Sequence, residues 1–174
     1  MESAANSAPM IVGADDATAA AIREALGAGP SADRQVLVFV VPETRAAAIA
    51  ATSVAEFAER LGVLKQAYLA LQHGVAAMRA TGQGGSVVFV AAATDARAFD
   101  ATRQGLRLLT KAAALELGPE GIRVNIVLPG AGPTPMGRPC AAGDIADAVA
   151  FVASDRAAFM TGADLVVDGG GMAR

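Results

Sequence analysis

Apolar residues follow two alternating patterns along this chain, and each pattern predicts one kind of secondary structure. Continuous, mostly β-branched runs begin at Gln35, Ser86 and Ile122, which is typical of parallel strands that are covered on both faces. A short apolar run at Met10 predicts one further strand. Between these runs the apolar residues recur at helical spacing. Strands and helices that alternate in this way predict an α/β fold, a doubly wound parallel sheet with helices on both faces.

Two of the predicted helices are apolar over more of their surface than one sheet can cover. In the helix expected from Phe99 to Leu117, apolar residues span roughly 200° of the circumference, against about 100° for an ordinary surface helix. The helix expected over Glu59–Ala80 has only two narrow polar stripes. Such a helix either lies within its own core, or contacts its own sheet on one side and another subunit on the other.

Three further segments are assigned from local signals. A helix that follows Gly13 is expected to end at Gly27. Residues 43–58 are rich in alanine and are expected to form a partly helical loop. Asp144 is expected to cap a helix that runs to Ala153.

Composition narrows the class of protein. The 174 residues are enough for one domain, 9–174, preceded by a disordered tail over 1–8. Apolar residues make up 53% and charged residues 18%, with a mean hydropathy of +0.43, but no apolar run reaches the ~20 residues that span a bilayer. The excess apolar surface is therefore expected to contact another protein rather than a membrane.

Charge and cysteine content exclude several kinds of site. The net charge is −3 and Lys and Arg do not cluster, which argues against a nucleic-acid surface. The single cysteine, Cys140, allows neither an internal disulfide nor a set of metal ligands. Because no signal segment is evident, the cytoplasm is the expected compartment.

One stretch carries a resemblance to a known family. The run LLTKAAALELGPEGIRVN, followed by LPG and later by TGADLVVDGG, resembles the short-chain dehydrogenase/reductase family in the order of its motifs. The resemblance covers nearly the whole chain, with deletions, and implies a truncated Rossmann-like fold. In that family a Tyr-x-x-x-Lys pair, assisted by a serine and an asparagine, transfers the proton and holds the nicotinamide ribose.

All four catalytic positions of that family are changed in this chain. The resemblance places the asparagine, serine, tyrosine and lysine at Val63, Ala92, Phe99 and Arg103. A phenylalanine has no proton to give, and neither valine nor alanine can complete a proton relay. Arg103 alone keeps a charge and is expected on a solvent-exposed face. The lone histidine, His73, is expected to be an ordinary helix residue, so no catalytic residue is predicted.

The dinucleotide-binding motif is also degenerate. The resemblance aligns its three glycines with Gly13, Ala17 and Ala19, and places Asp15 and Asp16 where phosphates would bind. As structure alone, the two aspartates are good N-cap and first-turn residues of a helix. Both interpretations predict that this chain binds no cofactor, and the resemblance implies that NAD is bound by a partner subunit.

The deletions also predict that this chain binds no cofactor. Two strand–helix units of the family, which carry the adenosine-ribose site, are missing between the first helix and the strand at Gln35. The lid that would follow Gly130 is short and rich in proline. The helices that build the family's tetramer interfaces are retained.

The resemblance therefore implies a non-catalytic subunit that assembles with an active NAD-dependent short-chain dehydrogenase, in a heterotetramer. The family's pairings of inactive and active subunits in hydroxyacyl-CoA oxidation are the precedent. Arg103 or the C-terminal Arg174 could contribute to a neighbour's site. The residues predicted for the interface are Leu69, Val75, Leu106, Leu109 and Ala113.

Two alternatives stay open at this point. One is a small-molecule-binding protein or unusual enzyme that uses a remodelled pocket without a dinucleotide. The other is a homo-oligomeric structural protein, which differs from the first hypothesis only in its partner.

Overall fold

The structure is a computed structural model. It describes residues 9–13, 16–27, 35–42, 48–93 and 101–173. The tail predicted over 1–8 lies outside these residues, as do Asp15, Phe99 and Arg174.

Strands and α-helices alternate strictly along the described residues. The strands are β1 Met10–Gly13, β2 Gln35–Val40, β3 Gly85–Val90, β4 Ile122–Pro129 and β5 Asp164–Val167. The helices are α1 Ala17–Gly27, α2 Val54–Thr81, α3 Ala101–Leu117 and α4 Ala142–Ala153.

The five strands form one parallel sheet in the order β1-β2-β3-β4-β5. Helices α2 and α3 cover one face, where they pack on Leu37 and Phe89. Helices α1 and α4 cover the other face, where they pack on Val38 and Val88. Because successive side chains of a strand point to opposite faces, two covered faces require apolar residues at every position. The predicted fold class is confirmed.

The connections between the strands have mixed hands. Each strand lies beside the next strand in sequence, so all four connections advance across the sheet in the same direction. Since α1 and α4 lie on one face and α2 and α3 on the other, two connections have the opposite hand to the other two. About 98% of such connections are right-handed.

A deletion accounts for the unusual hand of the first connection. In a doubly wound sheet of order 3-2-1-4-5-6, the strand that follows the first helix lies on the far side of β1. Here no strand of the described chain lies beyond β1. If two units are removed after α1 while α1 keeps its face, the next strand lies on the wrong side for a right-handed connection. The fold therefore fits an excision from a larger sheet.

Helix α2 begins five residues earlier than predicted. The sequence indicated a loop up to residue 58, but the helix starts at Val54. Ser53 and Glu56 form a capping box, in which Glu56 N donates to Ser53 Oγ at 3.2 Å and Ser53 N donates to Glu56 Oε2 at 2.8 Å. The Ser53 hydroxyl also donates to Glu56 Oε2, at 2.7 Å, and this hydrogen bond, followed by the one from Ser53 N, lowers the pKa of Glu56. The Ser-x-x-Glu signal was present but was missed within an alanine-rich segment.

Helix α4 begins two residues before its predicted cap. Asp144 lies in the first turn, where its Oδ2 accepts a hydrogen bond from Ala141 N at 2.8 Å. Its carboxylate also forms a bidentate pair with Arg138, at 2.5 and 2.7 Å. Arg138 thereby holds the pKa of Asp144 well below its usual range. Asp144 still stabilises the start of the helix, but as a first-turn acceptor.

Candidate functional site

Ligands of doubly wound sheets bind at the carboxyl ends of the strands, where successive loops leave towards opposite faces. In this chain successive loops leave towards opposite faces after β1 and β2, and again after β3 and β4, because α1 and α4 lie on one face and α2 and α3 on the other. The crevice between β1 and β2 is the one that begins at Gly13. Gly13 ends β1 with φ +111°, and a Cβ at this position would lie 1.9 Å from the carbonyl oxygen of Val40. Glycine is therefore required by the contact between β1 and β2, whatever the crevice binds.

The first amides of α1 are occupied by a side chain of the same chain. Asp16 Oδ1 accepts hydrogen bonds from Thr18 N at 2.9 Å and from Ala19 N at 3.0 Å. Asp16 is thus the N-cap of the helix, as its sequence position indicated. A phosphate at this helix end would compete for the same donors and would meet a like charge.

The two alanines of the degenerate glycine motif differ in environment. Ala19 is a fully buried residue of α1. Ala17 is exposed at the first helical position. Its methyl group lies where the second glycine of the motif lets a pyrophosphate approach the backbone.

Arg103 is buried, and the prediction that it lies on a solvent-exposed face is wrong. Its side chain is 9% exposed. Nη1 donates to the carbonyl oxygen of Ala92 at 3.1 Å and to that of Pro129 at 2.8 Å. These carbonyls follow β3 and end β4, so Arg103 joins the carboxyl ends of two strands. Sequence reasoning missed this because both acceptors are remote in the chain.

The other catalytic positions of the family are apolar in the structure as well. Val63 is half-buried and packs against the core between the sheet and α2–α3, which also contains Ala92. Phe99 lies outside the described residues. His73 is exposed on α2, which fits an ordinary helix residue. Among the described residues, the structure connects two of the family's catalytic positions. The guanidinium of Arg103 donates to the backbone carbonyl of Ala92.

These residues do not fit a nicotinamide dinucleotide. The amides at the start of α1 are taken by Asp16, and the described sheet ends at β1, on the side where the adenosine half would lie. Arg103 donates to the carbonyl groups beside the place of the proton relay. Within the described ranges, no three side chains of His, Cys, Asp or Glu come together as metal ligands.

Three of the five residues predicted for an interface face the chain's own core. Leu106, Val75 and Ala113 are 0%, 5% and 6% exposed, and Leu109 is half-buried against the same core. Only Leu69, 42% exposed, lies on an outer surface. The prediction was wrong for the three buried residues because a helix that is apolar all round gives no sequence signal for its inner side.

A different set of residues forms the apolar outer stripe of α3, namely Leu108, Ala112 and Leu115. Leu108 is 70% exposed and Leu115 is 84% exposed, and the spacing of four and three residues places all three on one helix face. Tyr68 and Leu69 of α2 are also exposed, at 49% and 42%.

Helices α2 and α3 pack directly against each other, so these outer surfaces adjoin. Thr102 Oγ1 donates to the carbonyl oxygen of Arg60 at 3.0 Å. A Cβ at Gly105 would lie 2.5 Å from Leu64 Cδ1, so glycine permits the close approach. The exposed apolar stripe of α3 is a surface that a second protein can cover.

A cavity of about 160 Å³ lies at the end of β5, beside Cys140, Arg138 and Val167. Burial raises the pKa of the Cys140 thiol, and the nearby Asp144 carboxylate adds to the effect, so the thiol is not activated as a nucleophile. The cavity is smaller than the ~300 Å³ at which ordinary ligand pockets begin.

Comparison with known proteins matches this chain to a reductase family model and to dehydrogenases. The family model described as enoyl-(acyl carrier protein) reductase matches residues 9–141 and 131–171. A trans-4-hydroxycyclohexanecarboxylate dehydrogenase from Sinomonas cyclohexanicum is 37% identical over 122 residues, which are 59% of this chain and 46% of that protein. The chain thus spans about half the length of the curated relatives it matches.

Solved structures share the fold. A putative oxidoreductase from Escherichia coli K-12 superimposes with a TM-score of 0.72 at 32% identity, covering 80% of this chain and 65% of the other. A short chain dehydrogenase family protein from Francisella tularensis gives a TM-score of 0.74 at 16% identity and covers 96% of this chain and 99% of the other. Across the residues that the structure describes, no helix combines the length and the apolar character needed to cross a membrane.

Proposed function

The chain belongs to the short-chain dehydrogenase/reductase family, and we propose that it serves there as a non-catalytic subunit that assembles with an active NAD-dependent member and stabilises it. Its matched relatives include dehydrogenases. The observation that carries the proposal is the apolar outer stripe of α3, which adjoins exposed residues of α2 and which no part of the described chain covers.

The residues at the family's catalytic positions support a non-catalytic role. Proton transfer needs a titratable group within hydrogen-bond reach of the substrate, and Val63 and Ala92 offer none. The described neighbours of Arg103 are backbone carbonyls, which hold the guanidinium away from acid–base work. Hydride chemistry would therefore take place in a partner subunit that binds NAD. Following the precedent of paired subunits, the partner's substrate is a hydroxyacyl-CoA or another secondary alcohol.

The stripe on α3 supports assembly for an energetic reason. Complete burial of a leucine side chain stabilises a protein by roughly 1.5–3 kcal/mol. Leu108 and Leu115 are 70% and 84% exposed, so the isolated chain gains little of this free energy from them. Covering both, together with Tyr68 and Leu69, would recover that energy in an interface with an apolar centre. The cavity beside Cys140, at about 160 Å³, gives no support of its own to a binding protein with a remodelled pocket.

The chain alone should bind neither NAD nor NADP. Titration calorimetry on the purified chain should give no heat beyond dilution, because Asp16 occupies the helix amides and the adenosine half of the sheet is missing. Replacing Ala17 and Ala19 by glycine should not create binding, since the substitutions restore neither the free amides nor the missing strands. An intact family member serves as the positive control, and micromolar affinity in this chain would contradict the proposal.

Sizing the chain with and without a candidate partner tests assembly. An intact short-chain dehydrogenase from the same genome, with its own glycine motif and Tyr-x-x-x-Lys, should co-elute with this chain as a hetero-oligomer and gain thermal stability. A chain that forms only self-assemblies would support the homo-oligomeric alternative. A stable monomer that leaves the partner's elution unchanged would contradict both.

A further inference from the structure

The ladder of backbone hydrogen bonds between β3 and β4 ends abruptly at the carboxyl edge. Ala91 N donates to the carbonyl oxygen of Val127 at 3.0 Å, and in a parallel ladder the matching donor to the carbonyl oxygen of Ala91 would be the amide of Pro129. Proline has no N–H. The carbonyl groups of Ala92 and Pro129 then extend past the last strand pair, although both residues are buried. Buried carbonyls of this kind require a donor from elsewhere.

Arg103 donates to both carbonyl oxygens, although its position in the chain is unfavourable for a cation. It lies in the first turn of α3, where the helix dipole repels positive charge. Helix preferences therefore do not explain a buried arginine at this point. The two carbonyl oxygens, at 3.1 and 2.8 Å from Nη1, do explain it.

The arrangement selects a guanidinium in particular. A planar guanidinium presents donors in a fixed fork and is more weakly hydrated than an ammonium, so it is buried at lower cost. A lysine ammonium would contribute a single, strongly hydrated point charge. The two carbonyl oxygens that accept from Arg103 Nη1 have the opposite polarity to the donors that hold a dinucleotide's phosphates.

We propose that the carboxyl edge of β3 and β4 is a guanidinium-binding site, which Arg103 fills from within the chain. This inference rests on the proposed function, because it explains how a member of the family keeps the edge of its sheet ordered without a dinucleotide. The ligand class of the site is a guanidinium cation, and its binding groups are the carbonyl oxygens of Ala92 and Pro129.

Chemical rescue of Arg103→Ala tests the site. The variant should melt about 5–10 °C below the wild type, because two buried carbonyls lose their donor. Methylguanidinium at millimolar concentration should recover several degrees in this variant. It should have no such effect on the wild type or on the matched control Lys65→Ala, which removes an exposed cation from α2. Methylammonium, which lacks the planar fork, should recover less.

Arg103→Lys provides a second measurement if the alanine variant does not fold. Hydrogen exchange should then quicken about tenfold or more at Ala91 and Gly130, next to the two carbonyls, and should be unchanged at the opposite end of β3. Wild-type melting of Arg103→Ala, or rescue that is equal in the Lys65→Ala control, would overturn the inference. Stabilisation of the wild type by NAD would instead contradict the proposed function and leave the result at Arg103 standing.

Discussion

Replacing Arg123 by methionine should lower the free energy of unfolding by about 3–4 kcal/mol. The guanidinium is 7% exposed and lies beneath the C-terminus of α4. Nη1 donates to the carbonyl oxygen of Val152 at 2.8 Å, and Nη2 donates to those of Ala153 and Ser154, both at 3.1 Å. The last carbonyls of a helix have no partner within the helix. Methionine keeps an apolar stem that reaches about as far as Nε, but leaves these carbonyls without the donor.

Urea denaturation followed by circular dichroism measures this effect. Arg79→Met is the matched control, because Arg79 pairs with Glu120 on the surface, and exposed pairs of this kind contribute little to stability. The control should unfold at nearly the wild-type urea midpoint. If Arg123→Met does not accumulate, Arg123→Lys should show a smaller loss, since one ammonium can serve only part of the set. A wild-type midpoint in both Arg123 variants would show that α4 does not depend on this contact.

Placing glutamate at both Leu108 and Leu115 should abolish assembly and leave the fold of the chain intact. Both side chains are exposed, so a charge in the isolated chain stays hydrated. In an interface the two charges would be buried without partners, at a cost of several kcal/mol. A loss of 3 kcal/mol already weakens binding by more than 100-fold. Size-exclusion chromatography with the candidate partner subunit, together with the thermal midpoint of the variant alone, separates the loss of assembly from a loss of folding.

Two controls make the assembly test specific. Ala20→Glu adds a charge to an exposed position of α1, on the opposite face of the sheet, and should not affect assembly. Leu106→Glu should unfold the chain itself, because Leu106 is fully buried in the core beneath α3. Retained assembly in the Leu108, Leu115 double variant would exclude α3 as the interface, whatever the oligomer is.

The burial of whole segments was predictable from the sequence. The runs that begin at Gln35, Ser86 and Ile122 became β2, β3 and β4, with nearly every position buried. The spacing of the motifs also identified the loss of strands after α1, which the order of the sheet reflects. Both signals are local, because periodicity and motif spacing follow from how consecutive residues meet a strand or a helix.

The two buried arginines, Arg103 and Arg123, show what local sequence signals do not predict. GIRVN was recognised as a family motif and Arg103 as an altered catalytic position, but neither pattern says what a guanidinium contacts. The acceptors of Arg103 lie 11 and 26 residues away, and those of Arg123 lie about 30 residues away. They meet the side chain only after the sheet and its helices have packed.

The chain's sequence by itself determined its α/β class and the order of its elements. These depend on residue chemistry and on short-range periodicity. Only the tertiary structure decided which leucines of α3 face outwards, that Leu106 faces inwards, and that the connections have mixed hands. A helix that is apolar on every side has no preferred inner face until a particular sheet packs against it, and the hand of a connection exists only once both of its strands are paired.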